Sequence, residues 1–185
     1  AAQLGRAIPG ADVVDLRGNI DTRVRKVRDG VVDCAVLALA GLKRLSREDE
    51  VSGALEADVM LSAPAQGALG IEIREGDARV KDMLSFLHST QTEQCVTAER
   101  VVLEALGGGC QVPVAALATI EDGVLQLRAR VVSLDGATVV EASGSGRPDR
   151  AGEVGQSLAD TLIERGASKI IEEILSELEQ ENENA

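Results

Sequence analysis

The chain has almost no aromatic residues, with one Phe and neither Trp nor Tyr among its 185 residues. Proteins that hold single-stranded nucleic acid stack bases on aromatic side chains, and proteins that hold phosphate backbones need a basic surface. The net charge of this chain is −12. Both features argue against nucleic acid as a partner of the chain as a whole.

Long apolar runs are also absent, since no stretch approaches the roughly 20 apolar residues that a membrane-spanning helix needs. No basic start followed by a short apolar stretch marks a secretory signal. The hydrophobic content of 44% is still enough for a buried core. We expect a soluble, cytoplasmic protein with no membrane partner. The chain starts at Ala1 without an initiator Met, which we interpret as the mark of a fragment or a processed piece.

Cysteine is scarce, and its spacing forms no motif. Cys34, Cys95 and Cys110 are odd in number and lie far apart, with no CxxC pair and no companion histidine. This arrangement indicates neither a disulfide framework nor a metal site. Cys34 lies in an apolar run and Cys95 on one face of a predicted helix, so we expect both to be small core residues.

Cys110 differs from the other two because it follows glycines in the segment 107–113 (GGGCQVP). Little side-chain bulk can cover a thiol there. A position just after a helix C-terminus disfavours a thiolate, and no histidine is near in sequence to lower its pKa. These residues argue against repeated nucleophilic turnover, whereas a thiol that reacts once and then holds a group is compatible with them. An incidental structural cysteine is the alternative.

Positive charge is concentrated in the first quarter of the chain. Residues 1–47 hold nine Lys/Arg and five Asp/Glu, a net of +4, so that the other residues carry −16. The pattern within this quarter is a short strand at 12–16, a helix at 21–29 and a nearly continuous apolar strand at 31–39. Strand, helix and buried strand form a βαβ unit of a parallel sheet, which predicts α/β architecture.

Three arginines lie at the ends of the elements of this unit. Arg17 ends the first strand, Arg23 lies in the first turn of the helix, and Arg44 follows the second strand. Ligands of parallel sheets bind beyond the carboxyl ends of the strands, so all three can face one crevice. Guanidinium groups hold carboxylates and phosphates through paired hydrogen bonds, and the pattern predicts an anion site. An equally acceptable alternative is a set of surface charges paired with Asp15, Asp21 and their neighbours.

The middle of the chain changes character. Small, Gly- and Pro-rich residues at 62–76 include a short alternating strand at 69–74, and they indicate a domain crossing. The capping-box spacing Thr90-x-x-Glu93 begins a helix that should run to Leu106.

The last third predicts a small α+β domain. Three runs alternate between apolar and polar residues, and turn residues separate them, which is typical of an antiparallel meander. Two helices should then cover one face of the sheet. The runs are 112–117, 124–132 and 138–142, the turns are at 121–123 and 135–136, and the helices are at about 149–165 and 167–180.

Five short segments occur in order along the chain: 16–23 (LRGNIDTR), 39–45 (LAGLKRL), 66–72 (QGALGIE), 98–100 (AER) and 108–114 (GGCQVPV). In this order and spacing they resemble the porphobilinogen deaminases, also called hydroxymethylbilane synthases. Any one segment would be weak evidence, but five in order are specific. The resemblance spans nearly the whole chain.

The resemblance implies a transferase that condenses four porphobilinogen molecules, with release of ammonia, into the linear tetrapyrrole hydroxymethylbilane for haem biosynthesis. In the family, growth starts on a dipyrromethane cofactor joined by a thioether to the cysteine that matches Cys110. Family arginines that match Arg17, Arg23 and Arg44 bind the carboxylates of the cofactor and of the growing pyrrole chain. The complete protein is expected to be a monomer without a metal. A non-catalytic module that binds small anions is the alternative function.

The family has three domains, two of them built like periplasmic binding proteins. The resemblance implies that residues 1–61 are the latter part of domain 2, 62–86 the hinge and return strand to domain 1, and 87–185 the cysteine-carrying domain 3. The family's catalytic aspartate would lie upstream of Ala1, so we expect this chain to hold no catalytic residue and to need the missing N-terminal region for activity. One departure from the family is Ala65, where a glycine is usual, and it is expected to stiffen the hinge.

Overall fold

The computed structural model describes residues 1–107, 109 and 112–183 of the chain. The predicted attachment residue Cys110 therefore lies outside the described residues. No helix in the described part of the chain is long and apolar enough to cross a membrane.

Helices occur along the whole described chain, whereas the strands are confined to one segment of it. The α-helices are α1 Ala2–Ala7, α2 Ile20–Arg28, α3 Leu39–Arg44, α4 Ala78–Leu84, α5 Thr90–Ala105, α6 Ala151–Glu164 and α7 Ala167–Glu183. Short 3-10 helices lie at Glu48–Glu50, Ser85–Leu87 and Pro148–Arg150. The strands are β1 Val114–Glu121, β2 Val124–Val132 and β3 Val139–Gly146.

The predicted antiparallel meander is confirmed, with the strands in the order β1-β2-β3. Asp122 and Gly123 form the two-residue turn between β1 and β2, and both have positive φ angles, of 50° and 75°, as the turns of tight hairpins require. The second connection, residues 133–138, is longer. It is closed by the N–H of Ser133, which donates to the carbonyl oxygen of Thr138 at 2.9 Å.

One face of the sheet packs against helices, as predicted. α5 packs on β1 and β2, and α6 packs on β3. Because side chains alternate along a strand, every second residue of β2 points to this face and is buried. The central members of the resulting core include Leu125, Leu127, Val131, Val102 and Leu162. Each such side chain contributes roughly 1.5–3 kcal/mol through its removal from water.

α5 and α6 cross closely at Gly155. A Cβ built on Gly155 would lie 2.6 Å from the carbonyl oxygen of Ala98 and 2.9 Å from the Cβ of Val101. Neither of these atoms can move without the helix that carries it, so no other residue fits. At Gly152, one turn earlier on the same helix, the corresponding position has open space around it.

α5 confirms the predicted helix, but its N-cap lies one residue earlier than expected. The Oγ of Ser89 accepts a hydrogen bond from the N–H of Thr92 at 3.3 Å, whereas Thr90 is already the first helical residue. A hydroxyl caps a helix from the last non-helical position, and that position is Ser89 because Thr90 is already helical. Gly107 follows the last turn with a φ of 69° and ends the helix as predicted.

The strands predicted for the first half of the chain, at 12–16, 31–39 and 69–74, are not formed. No strand occurs in residues 1–107, and α3 already begins at Leu39. A strand needs a neighbour for its N–H and C=O groups, and these segments exchange no backbone hydrogen bonds with one another. The predicted parallel βαβ unit is therefore not confirmed, although its helix is present as α2.

The apolar side chains of these unpaired segments face solvent. Leu69 is 83% exposed and Val31 is 65% exposed. Cys34 lies in the same unpaired stretch and is exposed, so the prediction that it belongs to the core is wrong. Cys95, by contrast, is half-buried against the core, where burial and the charge of Glu99 raise the pKa of its thiol.

Candidate functional site

The arginine-bearing region is organised around the N-terminus of α2. Asn19 is the N-cap, and its Oδ1 accepts a hydrogen bond from the N–H of Thr22 at 2.9 Å. Asparagine is favoured at this position because its side chain satisfies an otherwise free N–H of the first turn. The Nε of Arg23 donates to the carbonyl oxygen of Gly18 at 2.8 Å, which holds this side chain beside the turn that precedes the helix. Arg23 thus lies near a helix end whose partial positive charge favours anions.

Arg44 is the last residue of α3, which touches the first turn of α2. A Cβ built on Gly41 would lie 2.6 Å from the Cδ1 of Ile20, so a glycine at this position lets the two helices approach. Arg44 follows Gly41 by about one helical turn, and Arg23 follows Ile20 in the same way. Arg17 lies just before the cap of α2. The three arginines are therefore carried by adjoining segments, while their role in binding a ligand stays a prediction.

Two acidic residues of this region, Asp21 and Glu50, are engaged by arginines other than the three predicted ligand binders. The Nε of Arg47 contacts Glu50 at 2.5 Å, and the guanidinium of Arg47 also contacts Asp21. Arg28 contacts the second oxygen of Glu50 at 3.0 Å. The hydrogen bond from Arg47 is the main cause that lowers the pKa of Glu50, against the opposing effect of desolvation. Both carboxylates are thus already neutralised by arginines other than the predicted ligand binders.

Arg17, Arg23 and Arg44 form no ion pair with any side chain that the structure describes. Arg17 and Arg44 are exposed, and Arg23 is half-buried. The alternative in which these arginines pair with Asp15 and Asp21 therefore has no support in the described residues. Guanidinium groups without an ion pair among the described residues, with that of Arg23 held beside the N-terminus of α2, leave a positive potential that a ligand with several carboxylates can neutralise.

The segment that contains Cys110 connects two elements that the core holds in place. α5 ends at Ala105 and β1 begins at Val114. Between them, the carbonyl oxygen of Gly109 accepts a hydrogen bond from the N–H of Val112 at 3.2 Å. The distance from Cys110 to the arginines lies outside what the structure describes.

A polar network joins the first region to the face of the sheet that the helices leave open. Arg130 of β2 lies opposite Glu141 of β3, and its Nε donates to Oε2 of Glu141 at 2.7 Å. The terminal nitrogens of Arg130 donate to Oε1 of Gln3 at 2.9 Å and to the carbonyl oxygen of Asp58 at 3.1 Å. Arg128 contacts Asp58 at 2.5 Å and Glu141 at 3.0 Å. Both α1 and the chain around Asp58 are thereby fixed to the sheet.

A second polar contact between the same two regions is made by Glu99, whose buried carboxylate accepts backbone hydrogen bonds from Ala65 and Ala118. No functional role was predicted for Arg130, or for Glu99 within the segment 98–100. The available signals were a charged residue next to the apolar stripe of α5 and an arginine that alternates with buried residues of a strand. Neither signal identifies the partner, because the partners lie far away along the chain.

Comparisons with known proteins agree with this arrangement of two regions. Residues 1–82 match the family model described as porphobilinogen deaminase, dipyromethane cofactor binding domain. Residues 93–164 match the model described as porphobilinogen deaminase, C-terminal domain. Both models describe parts of one kind of protein, which carries a dipyrromethane cofactor. The chain therefore belongs to the porphobilinogen deaminase family.

Curated relatives carry the same name. The chain is 47% identical over 170 residues to the porphobilinogen deaminase of Desulforudis audaxviator, covering 92% of the chain and 55% of the relative. It is 43% identical over 173 residues to that of Xanthomonas campestris pv. campestris, covering 94% of the chain and 57% of the relative. It is 47% identical over 176 residues to that of Moorella thermoacetica, covering 94% of the chain and 55% of the relative. The chain thus spans little more than half the length of the curated relatives that it matches.

Proposed function

We propose that the whole protein to which this chain belongs joins four porphobilinogen molecules into hydroxymethylbilane and releases ammonia. The observation that carries the proposal is the ordered match of both family models along the chain. The unpaired state of Arg17, Arg23 and Arg44 supports it, because porphobilinogen and its products carry acetate and propionate side chains. Their carboxylates are the kind of group that a guanidinium holds with two hydrogen bonds.

In this proposal Cys110 holds the dipyrromethane cofactor through a thioether, and the bound cofactor supplies the terminal pyrrole from which the chain grows. Arg17, Arg23 and Arg44 hold the carboxylates of the cofactor and of the added units. They orient the reacting groups and offset the negative charge that accumulates as pyrroles are added. No residue of this chain is proposed as the catalytic acid, since the resemblance implies that the family's aspartate lies upstream of Ala1.

We also propose the domain map expected from the resemblance, with residues 1–61 in domain 2, 62–86 at the hinge and in the return strand to domain 1, and 87–185 in domain 3. The exposed apolar side chains of 12–16, 31–39 and 69–74 support this map, because strands of a periplasmic-binding-protein-like sheet would be covered in a complete protein. A cytoplasmic location and a monomeric whole protein stay predictions.

The attachment proposal is tested by Cys110→Ser in a protein that includes the natural upstream sequence. We expect the variant to lose both the covalently added pyrrole mass and the formation of hydroxymethylbilane. Cys34→Ser is the matched control, since Cys34 is an exposed free thiol elsewhere in the chain. Retention of the pyrrole mass in Cys110→Ser would refute the attachment site.

The arginine proposal is tested by Arg23→Leu in the same longer protein. Loss of a charge-assisted hydrogen bond should raise the KM for porphobilinogen by about 10- to 100-fold. Arg25→Leu is the control, because Arg25 is an exposed arginine of the same helix without an ion pair among the described residues. The alternative function, a non-catalytic module that binds small anions, predicts that carboxylate binding survives Cys110→Ser and that no product forms in any variant.

A further inference from the structure

Glu99 is a buried carboxylate that is held entirely by backbone groups. It lies on α5 between two core residues, Ala98 and Val102, and is 5% exposed. Its Oε2 accepts a hydrogen bond from the N–H of Ala65 at 2.6 Å, and its Oε1 accepts one from the N–H of Ala118 at 2.8 Å. No arginine, lysine or histidine of the described chain forms an ion pair with it. A buried carboxylate without a cation needs such hydrogen bonds to both oxygens.

The two donors come from different parts of the molecule. Ala118 belongs to β1, which is an edge strand of the sheet. The N–H of Ala116, two residues earlier, donates to the carbonyl oxygen of Ser62 at 3.0 Å. The segment from Ser62 to Ala65 therefore runs beside the free edge of β1, where a further strand would otherwise pair. At the next outward-facing N–H of β1, that of Ala118, the carboxylate of Glu99 takes the place of a strand. It accepts hydrogen bonds from Ala118 of β1 and from Ala65 of the adjacent segment.

The backbone of Ala65 is held in an unusual conformation at this contact. Its φ is 63°, in the left-handed region that residues with a Cβ rarely adopt. Such conformations persist where the surroundings over-determine them. Two hydrogen bonds hold Ala65: its N–H donates to Glu99 at 2.6 Å, and its carbonyl oxygen accepts from the N–H of Ala68 at 3.3 Å.

We propose that Glu99 is a positioning residue that clamps the segment 62–65 to the domain that carries Cys110. This segment continues directly from the arginine-bearing region, and the helix of Glu99 is followed along the chain by the segment that contains Cys110. The clamp thereby sets how the carboxylate-binding arginines face the attachment point. The inference rests on the proposed function for its consequence in catalysis, but not for the clamp itself.

The two backbone donors explain why position 99 carries a glutamate and not a glutamine. A carboxylate accepts one N–H at each oxygen, as both donors here require. An amide of the same shape offers one acceptor, and its NH2 group would face the second backbone N–H. Glu99→Gln therefore keeps the volume of the side chain and removes half of the clamp.

The clamp is tested on this chain by amide hydrogen exchange in Glu99→Gln. We expect the N–H of Ala65 or of Ala118 to lose about 10- to 100-fold protection, while amides of the central strand β2 keep theirs. Glu104→Gln is the matched control, since Glu104 is an exposed acid on the same helix. Unchanged protection at both amides would overturn the proposal, as would an equal loss throughout β2, which indicates only general destabilisation.

The wild-type chain provides a measurement that needs no variant. Ala65 lies in a loop, so its N–H should exchange freely unless the hydrogen bond to Glu99 persists in solution. We expect protection of about 10-fold or more relative to an unstructured amide. An Ala65 amide without protection would overturn the proposal even if Glu99→Gln cannot be folded.

The consequence for catalysis is tested in the longer protein that includes the upstream sequence. Glu99→Gln should keep the pyrrole mass on Cys110 but raise the KM for porphobilinogen by about 10-fold, because the arginines no longer face the attachment point correctly. A mere loss of folded protein would lower kcat and leave KM unchanged, and that result would overturn the positioning role. A wild-type protein without pyrrole mass would refute the proposed function instead, whatever the exchange data show.

Discussion

The two halves of the described chain differ in how completely they bury their apolar residues. Residues 88–183 form a continuous core between a three-stranded sheet and its helices. Of the nineteen large hydrophobic side chains that are exposed among the described residues, fifteen lie in residues 1–87. The second half completes its own core through contacts between neighbouring elements. The first half carries an apolar surface that its own residues do not cover.

Because of this difference, a Leu→Ala substitution should lower the free energy of unfolding much more in the second half than in the first. Leu127→Ala removes a fully buried side chain at the centre of the sheet and should lower the free energy of unfolding by about 2–5 kcal/mol. Leu69→Ala, at a position that is 83% exposed, should change it by less than about 0.5 kcal/mol. Urea unfolding followed by far-UV circular dichroism measures both. Equal effects of the two substitutions would break the comparison.

The helix crossing in the second half predicts a contrast between two glycines of α6. Gly155→Ala places a methyl group against the backbone of α5 and should destabilise the chain by about 2–3 kcal/mol. Gly152→Ala meets open space and should stabilise the helix by about 0.5–1 kcal/mol, since alanine favours helices more than glycine. The shift in urea midpoint should therefore have opposite signs for the two variants. A stabilising Gly155→Ala would contradict the close crossing.

The polar network between the halves predicts a dependence on pH. Burial alone would raise the pKa of Glu141, but hydrogen bonds from Arg130 and Arg128 lower it below its ordinary 4.5. Since the folded-state pKa is the lower one, the stabilisation is present above the unfolded-state pKa and is lost as pH falls through the folded-state value. Glu141→Gln should thus lower the free energy of unfolding by about 1–2 kcal/mol at pH 7. The difference in the free energy of unfolding between the variant and wild type should become smaller below about pH 4. A difference that stays constant from pH 7 to pH 3 would exclude this contribution.

The smallest predicted effect concerns the segment that connects the halves. Ala65→Gly should stabilise the chain by about 0.5–1 kcal/mol, because glycine adopts a positive φ without the strain of a Cβ. Ala63→Gly is the control, and it should destabilise the chain by about 0.4–1 kcal/mol, because Ala63 has no positive φ and glycine only adds freedom to the unfolded chain. If both variants are destabilised alike, the left-handed conformation of Ala65 is wrong. The glycine that the resemblance implies for the family at this position is the residue that such a φ favours.

The parts of the fold that could be predicted from sequence are those with local partners. Strands β1 to β3 follow one another through short connections, and α5 to α7 carry apolar stripes, so alternation and periodicity were sufficient. The segments 12–16 and 31–39 have the composition of strands, but composition cannot supply a pairing partner. The prediction that Cys34 is buried was wrong for the same reason, because this side chain is covered only if the segment 31–39 joins a sheet.

The candidate site was accessible from sequence only in part. Arg17, Arg23 and Arg44 could be selected because they lie at the ends of predicted elements and because the family segments contain them. Glu99 lies in the family segment 98–100, but its role could not be predicted from that segment, and Arg130 lies in none of the five segments. The roles of both residues depend on partners that are distant along the chain. Gln3 lies 127 residues before Arg130, and Ala65 lies 34 residues before Glu99. Contacts of that range leave no periodic signal in a single sequence.

The central claim is that Cys110 carries a covalent pyrrole cofactor, and intact mass with peptide mapping tests it most directly. The measurement is made on the chain produced together with its natural upstream sequence. We expect an added mass of two linked pyrroles on the peptide that contains Cys110, and none on the peptides of Cys34 and Cys95. An unmodified Cys110 in that complete, folded protein would contradict covalent attachment of the cofactor at this residue.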